Sequence, residues 1–176
     1  MKKVFYLVIA VLLVGGLDAS VSAQKKKPVK RNQPVKTQVT PKPAVTSVMI
    51  IAKTKVSNQR SNVSQFVDVL GPIAQGIENI DAEAKTKRLS RETLAKNDDN
   101  KKKVVAAIRN LRTGIVNLET EFRTKPDLRR FLVNIQGVSD LCASAEDSAL
   151  AGKFVAAKDP LRTISRKLTD TLAMMP

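Results

Sequence analysis

Val104, Ile108, Leu111, Ile115, Leu118 and Phe122 follow one another at intervals of 4, 3, 4, 3 and 4 residues. In a strand these side chains would scatter over both faces, because successive residues alternate. On an α-helix they form one stripe, with Lys101, Arg109, Arg112 and Asn117 off it. A 22-residue helix with one apolar stripe has to bury that stripe against something. The flanking segments supply partners of the same kind.

Upstream, Val45, Met49, Ala52, Val56, Val63, Phe66 and Leu70 keep the spacing if Gln59 joins the seam, and Ile73, Ile77, Ile80 and Ala84 resume it in phase. Gly71-Pro72 falls between them, and proline inside a helix removes a donor and crowds the preceding turn. The spacing is compatible with one helix kinked there or with two helices meeting at a corner. Beyond Lys85 the apolar signal thins to Leu89 and Leu94, so Asn97-Asp98-Asp99-Asn100 is expected to be a loop, with Asp98 or Asp99 capping the central helix. Lys125-Pro126-Asp127 should separate that helix from one carrying Leu128, Phe131, Ile135, Val138, Cys142, Ala145 and Ala149, which Gly152 stops. Asp159-Pro160 reads as an N-cap followed by proline in the first turn, ahead of Leu161, Ile164, Leu168 and Leu172. Periodicity and breakers agree on an all-α fold, an up-and-down bundle of four or five amphipathic helices occupying residues 44–176.

Two segments precede the bundle. Met1-Lys2-Lys3, the uncharged apolar run Val4 to Leu17 and the small residues of Val21-Ser22-Ala23 have the order of a secretory signal peptide, residues 1–23. The run is shorter than the roughly 20 residues that span a bilayer, which argues against a retained anchor. No cysteine follows it to carry a lipid. The expected location is outside the cytoplasm, in the periplasm or at the surface of what reads as a bacterial cell. Removing 23 of the 176 residues leaves 153, and the net charge falls from +15 to +14 as Lys2, Lys3 and Asp18 depart.

Residues 24–43 form a Lys/Pro-rich arm with Lys25, Lys26, Lys27, Lys30, Arg31, Lys36 and Lys42, four prolines and no acidic residue. Proline and like-charge repulsion both disfavour a packed structure, so the arm should be disordered. Half of the mature net charge lies in it. From residue 44 on, 22 basic and 15 acidic residues leave +7.

Chemistry is sparse. The chain has no histidine, which removes the commonest general base and metal ligand. Cys142 stands alone and on an apolar stripe, which makes it a buried small hydrophobe rather than a reactive thiol or an intermolecular bridge. No phosphate loop, haem motif or Glu-x-x-His pair is present, so no catalytic residue, cofactor or metal is assigned. Glu78, Asp81, Glu119, Glu121, Glu146 and Asp147 fall mostly off the stripes and read as solvated, as do Arg109 with Arg112, Arg129 with Arg130, and Arg162 with Arg166 and Lys167.

These readings point to a non-enzymatic envelope protein. Its candidate site is the arm, whose seven cations suit an anionic envelope polymer or lipid headgroups, and the bundle is a scaffold or a face for a protein partner. The arm has no aromatic residue to stack on bases, which argues against sequence-specific nucleic-acid recognition. Two alternatives remain: a bundle that lays amphipathic helices on a lipid surface, and an enzyme built on carboxylates that no motif marks. Oligomeric state is not legible. N-terminal sequencing of protein from its native host should find a mature chain beginning at Gln24. A chain that keeps Met1 to Ala23 would instead be an anchored one.

Overall fold

The computed structural model describes the backbone from Pro43 to Pro176 and the side chains from Ser47 onward. Five α-helices make up these residues: α1 (Pro43–Thr86), α2 (Arg91–Thr124), α3 (Leu132–Ile135), α4 (Val138–Leu150) and α5 (Lys158–Met174). A 3₁₀ segment, Pro126–Phe131, links α2 to α3. No strand occurs among the described residues. The residues expected to form a signal peptide, 1–23, and those of the expected arm, 24–43, lie outside them except for Pro43, which opens α1.

α1 packs chiefly on α5 and α2 chiefly on α4, and contacts of α1 with α2 and of α4 with α5 close a four-helix body. Cross-links between side chains give the directions. On α1, Lys53 reaches the carbonyls of Met175 and Pro176 at 3.1 and 3.0 Å, and Ser64 meets Ser165 at 2.8 Å, so α5 runs antiparallel to α1. Lys55 pairs with Glu121, and Asp81 with Lys101, so α2 runs back along α1. The central stripe lies where the spacing requires: Val104, Ile108, Ile115, Leu118 and Phe122 are buried, and Leu111 is half-buried. Leu128, Phe131, Ile135, Cys142, Leu161, Ile164 and Leu168 join them in one core.

Three boundaries differ from the sequence expectation, and one that the spacing left open is resolved. Gly71-Pro72 does not end α1, which passes through it as one helix. Pro72 is exposed, so its ring and the carbonyl left without a donor face water rather than the core. The buried line there runs through Val67, Leu70, Ala74 and Ile77, which leaves Phe66 and Ile73 at its half-buried edge.

Asn97 to Asn100 is helix, not loop, because α2 starts at Arg91. Its cap is Ser90, whose Oγ accepts the N–H of Thr93 at 3.1 Å, and Glu92 complements the dipole in the first turn. Asp98 and Asp99 therefore cap nothing. Asn97 is buried, and its Nδ2 donates to Asp81 Oδ1 at 2.8 Å, a tertiary bond that offsets the low helix propensity of asparagine.

The single helix expected over 128–149 is three pieces. Gly137, at φ 84°, sits between α3 and α4 in a conformation that side chains other than glycine seldom adopt. Gly152 does end α4 as expected, at φ 76°, with the paired bonds Gly152 N to Ala149 O and Lys153 N to Ser148 O. Finally, Asp159 lies inside the first turn of α5 and is not its N-cap, a position that Ala157 occupies without a side-chain bond.

The exposed proline in α1 gives a test of the continuous helix. Pro72→Ala restores one backbone hydrogen bond in an interior turn, a gain of about 3 kcal/mol offset by up to 1 kcal/mol of unfolded-state entropy. Chemical denaturation should show the variant more stable by about 2 kcal/mol. A loss of stability would mean that the backbone geometry imposed by Pro72 is required for packing.

Candidate functional site

Of the seven arm cations singled out in the sequence, Lys25, Lys26, Lys27, Lys30, Arg31, Lys36 and Lys42, every one lies outside the described residues. What the structure does show is how the charges of the bundle are disposed, and there it corrects the expectation of solvated carboxylates.

Glu119 is buried in the body of α2, and α4 begins directly on it. Its Oε1 accepts the N–H of Gly137 and its Oε2 that of Ser139, each at 3.0 Å, and Arg123 closes on Oε1 at 3.0 Å from the solvent side. Burial alone would raise the pKa of this group. The bonds from Ser139, Gly137 and Arg123 outweigh it and hold the carboxyl below the usual range. Glu119 thus does for α4 what a capping side chain does within one helix, and it satisfies amides at a helix start where the chain offers no local cap.

Glu146, about two turns further along α4, faces back to α2. It accepts Arg109 Nε at 2.7 Å and Arg112 Nη1 at 2.9 Å, and these two bonds hold its carboxyl below the usual range against a smaller opposing effect of burial. The Arg109–Arg112 pair is therefore a clamp and not a free basic face. Glu121 is shared by Lys55 and Lys125, which ties α1 to α2 and to the link beyond it. On α5, Lys167 Nζ donates to the carbonyl of Gln136 at 3.1 Å and weakly to that of Asn134, so it caps the end of α3. Of the carboxylates expected to be solvated, only Asp147 is exposed.

Cys142 is fully buried, and burial pushes its thiol up to about 11 although the nearby Arg112 charge opposes the shift. At neutral pH it holds its proton and has no thiolate to offer. Among the described residues no group of three or more acidic or thiol side chains is arranged to hold a metal ion. No helix among them is long and apolar enough to cross a membrane.

A cleft of about 870 Å³ lies where the last turns of α1 pass the α4–α5 corner. Small residues such as Ala82, Ala151 and Gly152 line it together with the cations Lys85, Lys153, Lys158 and Arg162 and the carboxylates Glu78, Asp81 and Asp159. The corner is held to α1 by Glu78, whose Oε1 accepts the N–H of Val155 at 2.8 Å. Sequence reasoning missed this place, because its cations come from α1, the corner and α5 and never stand in one run.

Comparison with protein-family models, with curated proteins and with solved structures finds no match to this chain.

The carboxylates give a pH dependence of definite sign. Glu119, Glu121 and Glu146 have folded values below the ordinary 4.5, so they contribute stability that is present above about pH 4.5 and is lost as pH falls through their folded values. Glu119→Gln should cost about 1–3 kcal/mol at pH 7, since an amide accepts through one oxygen where the carboxylate accepted through two. The difference from the parent should shrink as pH falls through the folded value of the parent carboxyl, which lies below 4.5. Thermal unfolding at pH 3, 5 and 7 checks both, and a gap that stays constant with pH would refute the assignment.

Proposed function

We propose that this chain is a non-enzymatic exported envelope protein in which the arm of residues 24–43 contacts an anionic surface and the helical body serves as scaffold or partner-binding module. The observation that carries the reading is the division of charge in the sequence. Seven cations and no acidic residue occupy 20 positions of the arm, whereas the bundle mixes 22 basic with 15 acidic residues. The structure supports the scaffold half: the buried and half-buried glutamates are spent on ties between helices, and Cys142 is protonated in the core. Among the described residues no nucleophile stands beside a base that would activate it.

One observation favours a lipid surface over a polymer as the arm's target. Ile50 and Ile51 are exposed on the part of α1 that follows the arm, and Met174 is exposed at the end of α5 beside it. Isolated apolar side chains of this kind add insertion to a contact that is otherwise Coulombic.

The test compares the mature chain with a variant carrying glutamine at all seven arm cations, in co-sedimentation with isolated envelopes and with anionic vesicles. The mature chain should bind more tightly than the variant. Its advantage should fade between 0.1 and 1 M salt, as the Debye length falls from about 10 to about 3 Å. Equal binding by the two would remove the arm from the mechanism. An advantage on vesicles that survives salt would shift the reading to insertion of Ile50, Ile51 and Met174.

A further inference from the structure

The bundle holds a second basic region that the arm reading does not use. Most of its cations have acceptors: Lys53 has the C-terminal carbonyls, Lys55 and Lys125 have Glu121, and Arg109 and Arg112 have Glu146. Around the α1–α2 turn the pattern changes. Lys85, Lys87, Arg88 and Arg91 are exposed, with no acidic residue between positions 85 and 91, and none of the four enters an ion pair among the described residues. Across the cleft, Lys153 and Lys158 are likewise outside every ion pair.

None of the acidic residues of the same cleft forms an ion pair with these lysines: Glu78 keeps its charge and spends Oε1 on the N–H of Val155, Asp81 holds Lys101 at 2.7 Å and Asn97, and Asp159 faces Arg162 at 3.5 Å. Lys158 lies against α1 with its Nζ beside Gly71, where a Cβ would come within 3.2 Å of it. The lysines of the lining thus come from three separate parts of the chain, and the cations continue past Lys85 onto the turn.

We propose that this cleft and the adjoining turn bind a chain of phosphate groups, with Lys85, Lys153 and Lys158 as the principal contacts and Lys87, Arg88 and Arg91 extending the track. A single small anion would need one focus of donors, and here the donors are spread along a groove. Lysine meets phosphate as a point charge without demanding one orientation, which suits a repeating polymer. Phe154, the one aromatic residue nearby, is buried, so no ring is available to stack on bases and the contact is to the charged backbone. A concave wall fits a strand better than the face of a bilayer.

The experiment uses the mature chain with all seven arm cations changed to glutamine, so that the arm reading and this one fail separately. Long-chain inorganic polyphosphate is the probe. This chain should bind it, and adding Lys85→Gln, Lys153→Gln and Lys158→Gln should weaken binding at least tenfold. The slope of log affinity against log salt should fall by about 2, at roughly 0.7 per cation removed. The matched control is Arg129→Gln, Arg130→Gln and Arg166→Gln, away from the cleft, and it should change affinity less than threefold. Helicity is checked by circular dichroism for both triples. Equal losses in the two triples would overturn the site in favour of diffuse charge, and so would failure of the arm-neutral chain to bind. Binding to anionic vesicles but not to polyphosphate would overturn the polymer as ligand.

Discussion

A carboxylate with no water on most of its surface must be satisfied by the protein or neutralised. Glu119 meets that demand with the first amides of α4, and much of the arrangement follows from it. The chain leaves α2, makes a 3₁₀ turn and the single turn of α3, and must then present Gly137 and Ser139 to a group eighteen and twenty residues behind them. Gly137 can do so because its positive φ turns the backbone sharply. Once α4 starts on Glu119 and runs antiparallel to α2, Glu146 falls opposite Arg109 and Arg112 with no further adjustment. A buried ion is weak evidence for net stability, since its desolvation cost is large. Its value here is register, because sliding α4 by one residue would leave Glu119 unpaired while the alanine-rich seam of α4 would barely object.

The stripes were legible because burial of a helix imposes one periodicity whatever the fold. Val104 to Phe122 and Leu161 to Leu168 needed no tertiary information. Boundaries were less so, since they depend on which side of a helix faces water. Pro72 is harmless on the exposed side of α1 and would have ended the helix on the buried side, and nothing local distinguishes the two. Asn97-Asp98-Asp99-Asn100 has the composition of a loop, but the bond from Asn97 to Asp81 belongs to a partner sixteen residues away. The signals that would have corrected these expectations were present in part. Ser90 with Glu92 marks a helix start more directly than Asp98 does, and Gly137 interrupts the stripe of 128–149 where the chain in fact turns.

The charged residues were the least legible. A position just off the apolar stripe lies either in water or against the flank of the neighbouring helix, and the spacing is the same for both. Glu119 and Glu146 are flank positions whose partners come from another helix, so only the assembled bundle assigns them. The same holds for the cleft, whose lysines lie 68 and 73 residues from Lys85 along the chain.

Partnering also sets where the bundle is available to an outside anion. A cation that already donates to a carboxylate keeps its charge but gives up its donors, and a new ligand must compete with the bond in place. By that criterion Arg109, Arg112 and Arg123 of α2 are closed and the hairpin end, Arg91 included, is open. Lys85 lies 42 residues beyond Pro43 on α1, about 63 Å at 1.5 Å per residue. A small anion held at one end of that helix is therefore out of reach of the other. Only a ligand with charges repeated along its length can meet cations at both, which makes ligand length, more than affinity at any one lysine, the variable that decides how much of the molecule it engages.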